Sequence, residues 1–419
     1  MRQSQLFTKT RREVPKDETS KNAQLLIRAG YIHKEMAGVY SYLPLGLGVL
    51  KNIEQIIRIA LNAVGAQEVF MTTLQDPEIW KATNRWDDKI VDNWFKTKLK
   101  NDTEIGLATT HEEPLVRILK DHISSYKDLI TETQLSIYQF QTKFRNELRS
   151  KSGIMRGREF MMKDQYSFHL SEKSFDNYYE MMARTYLSIF DKVGLGSVTV
   201  RTKASGGSFS KFSDEFQTFS DAGEDKIYLC DACKIAINNE IIQEQSSCIS
   251  CLKPKENLLE KKSIEIGNIF PLKSKFTDAG GLKVKDSNGN DVSVLMGCYG
   301  IGLGRLMGTI VEVLSDEKGI VWPESVAPFK IHLLVLNEEQ KLVADNLYEE
   351  LKRREVAVLY DDRDISVGEK FADADLLGMP LRVLVSNKSI TVGGYEVKGR
   401  SENVSKIMSV NELYSYCHV

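Results

Sequence analysis

No run of about 18 apolar residues occurs in the 419-residue chain, which argues against a membrane-spanning helix. Neither sign of charge is in excess. The 56 Lys and Arg stand against 58 Asp and Glu, which argues against a histone-like chain held to nucleic acid by bulk charge. Local basic faces remain open to it. At 42% hydrophobic residues it is not a disordered or low-complexity chain, and its length suggests two or three domains. No internal repeat is present. Cysteine is scarce, yet four of the six fall close together, at Cys230, Cys233, Cys248 and Cys251. In a reducing compartment that grouping points to a metal more than to disulfides. The first twenty residues mix Arg2, Lys9, Arg11 and Arg12 with Glu13, Asp17 and Glu18 and hold no apolar core. The expectation is a cytoplasmic protein with neither signal peptide nor transit peptide.

Periodicity gives a coarse order of elements. Leu45, Val49, Ile53, Ile56, Ile57 and Ala60 recur at helical spacing within 41–63, and Gly65 follows as a stop. Residues 66–71 read as a strand. Two strands, 133–144 and 159–169, flank a basic loop at 150–158, and a helix is expected over 171–193. Residues 204–210 break regular structure. The stretch 286–291 is a hairpin turn, followed by a strand over 292–298 and a helix from about Gly304. Composition changes near Pro323–Pro328. Strands at 331–336, 356–360 and 382–386 then alternate with helices at 338–354 and 368–377, which predicts a separate mixed α/β domain.

Four segments have the residue types of a site. Phe144-Arg145-Asn146-Glu147, with Arg156 and Phe160 beyond the loop, puts a rigid fork of donors at a strand end and an aromatic ring opposite. Its plain alternative is a solvated strand with surface charges. Gly297 to Arg305 runs a strand through close-set glycines, Gly300 and Gly302 among them, which let a backbone approach a nucleotide. It lacks the Lys-Ser/Thr of a P-loop, and a tight strand–helix turn explains it equally well. Thr109-Thr110-His111-Glu112-Glu113 offers a hydroxyl and a carboxylate two residues apart, suited to a cationic amine, or simply a helix N-terminus with acids in its first turn. Residues 361–380 form a charged segment in the C-terminal domain. Separately, the two Cys-x-x-Cys pairs, fourteen residues apart, can close a tetrahedral zinc site with no open position, hence a structural one.

Taken in order, the four segments resemble a class II aminoacyl-tRNA synthetase of the prolyl type. The likeness begins at Gly30-Tyr31-Ile32 and at residues 40–46 and runs nearly to the C-terminus. Phe144–Glu147 with Gly157-Arg158-Glu159-Phe160 is similar to the family's motif 2, and Gly297–Gly302 with Arg305 to motif 3. Residues 45–72 take the place of motif 1, which supports the dimer interface in this class. The resemblance implies an α+β catalytic domain, an antiparallel sheet flanked by helices, followed by a C-terminal mixed α/β anticodon-binding domain. The implied division is a core over 1–225 and 263–325, a cysteine-rich insertion over 226–262 with a candidate zinc site, and the anticodon domain over 326–419.

The resemblance also implies roles. Arg145 holds the α-phosphate and the proline carboxylate, and Glu147 meets the adenine amino group. Arg156 and Arg305 take the outer phosphates with magnesium. Phe160 stacks on adenine, and Gly300 and Gly302 let the nucleotide approach. Thr110 and Glu112 hold the imino nitrogen, Asp164 and Tyr166 line the proline pocket, and Cys298 forms its wall. Arg363 and Lys370 are anticodon contacts. The partners implied are ATP, L-proline and tRNA(Pro), in a homodimer. Three departures stand out: Thr72 where motif 1 has proline, Thr109 where the proline-binding loop has proline, and Asn268 where a histidine is usual. Residues 224–264 span only about forty positions, too few for the editing domain of longer bacterial relatives, so no editing in cis is expected. A non-charging paralogue would usually have lost the arginines or the anticodon domain. A zinc-ribbon module would leave most of the chain unexplained. The threonyl, histidyl and glycyl relatives are the nearest rivals, and the Thr-His-Glu-Glu loop favours proline.

Overall fold

The computed structural model describes residues 1–129, 134–148 and 150–417. The expected strand start at Thr133 and the loop residue Arg149 lie outside these. The chain divides into two compact units, Met36–Val39 with Glu54–Thr309, and Met1–Glu35 with Tyr40–Ile53 and Ile310–Val419.

The larger unit is organised by a nine-stranded sheet. Its order is Phe212–Phe219, Thr199–Ser205, Ile235–Asn238, Asp225–Leu229, Leu259–Lys273, Leu295–Gly302, Glu159–His169, Ser136–Phe144 and Gln67–Glu68. Neighbours are antiparallel except for two pairs: Ile235–Asn238 beside Thr199–Ser205, and the two-residue edge strand Gln67–Glu68 beside Ser136–Phe144. Phe212–Phe219 also pairs with Leu259–Lys273, so the first five strands close into a ring. The helix Glu172–Lys192 buries Tyr178, Tyr179, Met182, Tyr186, Ile189 and Phe190. Its Ser171 cap accepts from the Ser174 N–H, the expected start signal.

The strand pair at 159–169 and the helix at 172–192 match the periodicity closely. The expected strand at 66–71 shrinks to Gln67–Glu68, because beyond it Met71 N–H donates to the Gln139 side chain instead of a ladder. The glycine-rich segment is strand as far as Gly302, and the helix begins at Leu303.

The smaller unit holds a five-stranded sheet: Val358–Asp361, Ile331–Val335 and Leu381–Val385 in parallel, then Tyr395–Gly399 and Lys406–Met408 antiparallel. Helices Lys341–Arg353 and Val367–Leu377 fall where the alternation predicted them. The first 35 residues group with this unit. The reason is a series of contacts along its surface. The Met1 ammonium donates to Val358 O at 2.7 Å, Ser4 Oγ to Asp362 at 2.9 Å, Thr10 to Asp373 at 2.7 Å, and Tyr31 OH to Leu377 O at 2.7 Å. Among the described residues no helix is long and apolar enough to cross a membrane.

Candidate active site

Three central strands of the larger unit build a cleft of about 280 Å³. Pairing sets Asp164 opposite Gln139 on one side and Gly300 on the other, and Cys298 opposite Tyr166. Thr110, Glu112, Arg145, Glu147, Arg156, Phe160, Asp164, Cys298, Gly300, Gly302 and Arg305 all line the cleft. Three segments far apart in sequence therefore meet in one concave site.

At one end lies a hydroxyl–carboxylate pair. Glu112 opens the helix Glu112–His122 and is fully buried. The Thr110 hydroxyl sits 2.8 and 2.7 Å from its two oxygens, and the Cys298 thiol donates to it at 3.3 Å. A carboxylate at a helix N-terminus, lining a cleft, has the chemistry to receive a cationic amine. Beneath it Asp164 accepts from Gln139 at 2.9 Å, Tyr166 OH at 2.9 Å and Lys143 Nζ at 2.7 Å. Burial alone would push Asp164 up, and Lys143 and His111 reverse that, so it stays ionised. His111 Nε2 lies 3.0 Å from Thr72 O and so carries the proton, while Nδ1 accepts from Lys143 at 2.8 Å. Burial pushes this imidazole down to about 4, so it is neutral at physiological pH. Tyr166 is fully buried below the pair, its hydroxyl 3.5 Å from Thr110.

At the other end lie the arginines. Arg145 leaves the strand Ser136–Phe144, with its Cζ 5.3 Å over the Phe160 ring. It donates to Thr109 O at 3.4 Å, and among the described residues it has no ion pair. Burial, then the Arg305 charge, lowers its pKa. Arg156 is held by Glu147 at 2.9 Å and Glu224 at 3.3 Å, and Arg305 by Glu265 at 3.1 Å. At Gly300 an added Cβ would find its nearest neighbours at 3.9 Å, and at Gly302 at 3.5 Å, so both hydrogens face open cleft. The Oδ1 of Asn268, at the position where the family usually has histidine, is buried without a partner.

The four cysteines form a second centre. Cys230 and Cys251 sulfurs lie 3.4 Å apart, Cys233 and Cys248 3.5 Å apart, and all four sulfurs lie within 4.8 Å of one another. Sulfurs around a tetrahedral zinc, at about 2.3 Å each, stand roughly 3.8 Å apart. Both pairs make the same hairpin. Lys234 and Leu252, each next after a second cysteine, adopt φ of 58° and 60°, and their N–H groups donate to Cys230 O and Cys248 O at 2.9 and 3.0 Å. The donor set and its spacing fit a zinc ion.

In the smaller unit, Arg363 is tied to Asp361 at 2.7 Å and Asp373 at 2.8 Å. Lys370 is buried and donates to Val335 O at 2.7 Å and Asp361 O at 3.4 Å. Both brace the sheet end, and Lys370 offers no open ammonium.

Arg85 and Lys143 are absent from the sequence-based site, yet both touch it. Lys143 lay inside the expected strand 133–144 with nothing local to mark it as a site residue. Arg85 sits among Trp80, Trp86 and Trp94, an aromatic clustering that was its one visible signal.

Comparison with known proteins gives the family and the fold. Residues 95–314 match the model for the tRNA synthetase class II core domain (G, H, P, S and T), and residues 326–418 match the anticodon binding domain. The chain is 38% identical to a proline–tRNA ligase of Wolbachia sp. subsp. Drosophila simulans, over 99% of both chains. It is 37% identical to that of Ehrlichia ruminantium, over 99% of this chain and 98% of the other. Alignment with the Geobacillus kaustophilus proline–tRNA ligase, 33% identical, runs to 566 positions, so about 147 positions (566 less 419) have no counterpart here. In fold the chain is similar to the Giardia lamblia prolyl-tRNA synthetase solved with prolyl-adenylate (TM-score 0.77, 16% identity, 93% of this chain and 74% of that one). It is also similar to the Cryptosporidium parvum enzyme solved with L-proline and AMP (TM-score 0.75, 18% identity, 95% and 74%).

Proposed function

The chain belongs to the proline–tRNA ligase family of class II synthetases, and from that premise we infer how its residues activate proline and charge tRNA(Pro). The observation that carries the reading is Arg145, a half-buried guanidinium lining the cleft with no anion of its own. Its fork takes the α-phosphate and the proline carboxylate together, which holds the attacking oxygen in line with phosphorus. Phe160 provides the stacking face for adenine, and Glu147 receives its amino group. Arg156 and Arg305 exchange their carboxylate partners for the outer phosphates. Glu112, oriented by Thr110, receives the imino nitrogen, while Asp164, Tyr166 and Cys298 shape the pocket around the ring.

No enzyme nucleophile is required. The proline carboxylate attacks the α-phosphorus, pyrophosphate leaves, and the arginines stabilise the charge that spreads over the phosphoryl oxygens. A terminal ribose hydroxyl of tRNA then attacks the adenylate carbonyl and releases AMP. Magnesium, which arrives with ATP, supplies further charge neutralisation. Glu265, which lines the cleft beside Arg305, would offer it an oxygen donor.

We further propose the division into a core over 1–225 and 263–325, a zinc-bearing insertion over 226–262 and an anticodon domain over 326–419. The zinc ion is structural. Arg363 orients the anticodon-facing end of the smaller unit, with Lys370 bracing it from inside. A cytoplasmic homodimer completes the reading, supported by the exposed apolar side chains Ile59, Val69 and Phe70 around the edge strand. The test is ATP–pyrophosphate exchange run separately with proline, threonine, histidine, glycine and alanine. Stimulation by proline far above the rest is expected. Stimulation by another amino acid overturns the pocket assignment, and none by any of them overturns the enzyme reading.

A further inference from the structure

Arg85 lies on no strand or helix of the cleft and does not line it, yet only 3% of it is exposed. Its Nη1 donates to both oxygens of Glu113 at 3.0 Å and also to Oε2 of Glu112 at 3.2 Å. Three aromatic faces enclose the cation: Trp80 at 5.1 Å, Phe209 at 4.7 Å and Phe276 at 5.1 Å from Cζ. Thr83 donates to Oε1 of Glu113 at 2.7 Å, and the indole of Trp94 fixes the Arg85 carbonyl at 2.8 Å. One cation is thus clamped between two adjacent buried carboxylates, and only one of these, Glu112, faces the cleft.

Two carboxylates side by side in a dry site do not both ionise without a cation, since one takes up a proton. The amine receptor works only while Glu112 is the ionised member. Arg85 secures that, because its aromatic box and Glu113 hold it at a height from which the same nitrogen reaches Glu112. A pairing with Glu113 alone would suffice for packing. The additional reach to Oε2 fixes the carboxylate from behind, while the Thr110 hydroxyl touches both of its oxygens and the Cys298 thiol touches Oε1.

We propose that Arg85 is a positioning residue for amino-acid recognition: with Glu113 as its anchor, it sets a fixed positive charge behind the Glu112 carboxylate and keeps that carboxylate aimed at the cationic nitrogen of the substrate. The inference rests on the reading of Glu112 as the imino-nitrogen receptor.

The test compares Arg85→Met, Arg85→Lys and the double variant Arg85→Met/Glu113→Gln in the exchange assay, with KM measured for proline and for ATP. Arg85→Met is expected to raise KM for proline by at least about tenfold while KM for ATP moves less than about twofold. Arg85→Lys, which keeps a charge but loses the fork, falls between it and wild type. The double variant removes the rival carboxylate and so recovers part of the loss, by about threefold or more. A residue that only packs the Trp80–Trp94 cluster gives the opposite pattern: both KM values move together, and the double variant is worse than Arg85→Met. Either result overturns the proposal. If Arg85→Met fails to fold, the Arg85→Lys split between the two KM values decides alone. Absence of proline-dependent exchange in the wild type would instead sink the underlying reading, and the inference with it.

Discussion

The guanidinium of Arg145 rests 5.3 Å over the ring of Phe160 and meets no carboxylate among the described residues. Arg156 and Arg305, by contrast, are each paired with acids. A cation held ready for a missing anion costs the folded state and serves the bound one. Arg145→Met should therefore lower proline-dependent exchange by ~100-fold or more, as loss of a charge-stabilising donor does. Its melting temperature should stay level or rise. Thermal melts run beside the exchange assay check both, and a lower melting temperature would mean that Arg145 is a structural cation instead.

Two glycines of the same strand make opposite predictions. At Gly300 a Cβ has its nearest neighbours at 3.9 Å, so alanine fits the fold but projects into the cleft. At Gly297 a Cβ would stand 2.4 Å from the Tyr299 hydroxyl, which is bonded to Ser167. Gly300→Ala should raise KM for ATP several-fold with an unchanged melting temperature. Gly297→Ala should destabilise by about 1–3 kcal/mol through overpacking. Denaturant unfolding and substrate titration of the two variants separate these effects.

Much of this was legible because it rests on local rules. The strand pair around the basic loop shows in composition, the helix Glu172–Lys192 in its period and cap, and the α/β alternation after residue 330 in spacing. Gly300, Arg145 and Glu112 followed from ordered motifs. What escaped depends on tertiary contacts. Lys143 is a lysine near the end of a strand and is buried because Asp164 and His111 receive it from two other segments. Arg85 becomes part of the site only once rings from positions 80, 209 and 276 converge on it. Met1, Ser4, Thr10 and Tyr31 find their partners beyond residue 357, which no local pattern shows.

The cysteine centre predicts one zinc per chain in freshly reduced protein, measured by elemental analysis. Cys233→Ser and Cys248→Ser should each lose most of the metal, since three thiolates leave an open position. Because Cys230 and Cys248 also belong to a small buried cluster with Ile237, Ile241 and Ile242, metal loss should expose residues 226–262 to protease before the rest of the chain. Metal-free wild type with the same protease pattern would contradict a structural zinc.

His332 makes a pH prediction. It is buried, Nε2 lies 2.9 Å from Gln3 Oε1, and Nδ1 has no partner. Burial lowers it from the usual 6.5 to about 4. Between those two values the unfolded chain binds a proton that the folded chain refuses, so stability falls as pH drops through that window and is intact above it. The loss is at most roughly 3 kcal/mol for this group. His332→Gln keeps a donor for Gln3 and removes the titration, so its denaturant midpoint should fall less steeply between pH 6.5 and 4. An identical pH slope would remove His332 from the account.

Hydrolysis of mischarged tRNA requires a second pocket that excludes proline and admits the smaller side chain, since a single hydrophobic pocket rejects one missing methylene group by only about 10–200-fold. The longer Geobacillus relative has about 147 alignment positions with no counterpart here, 566 less 419. Residues 224–264 are instead taken up by two short strands, 225–229 and 235–238, the cysteine hairpins and the start of the strand Leu259–Lys273. Within this stretch Glu260, Asp231 and Glu224 pair with Lys226, Lys253 and Arg156. The purified chain should therefore charge alanine at a low but measurable rate and leave Ala-tRNA(Pro) intact on incubation. The check is release of labelled alanine from pre-formed Ala-tRNA(Pro), with and without enzyme. Release at the spontaneous rate agrees with a chain that discriminates once, in the Glu112 pocket, while release well above it would require a hydrolytic site elsewhere in the fold.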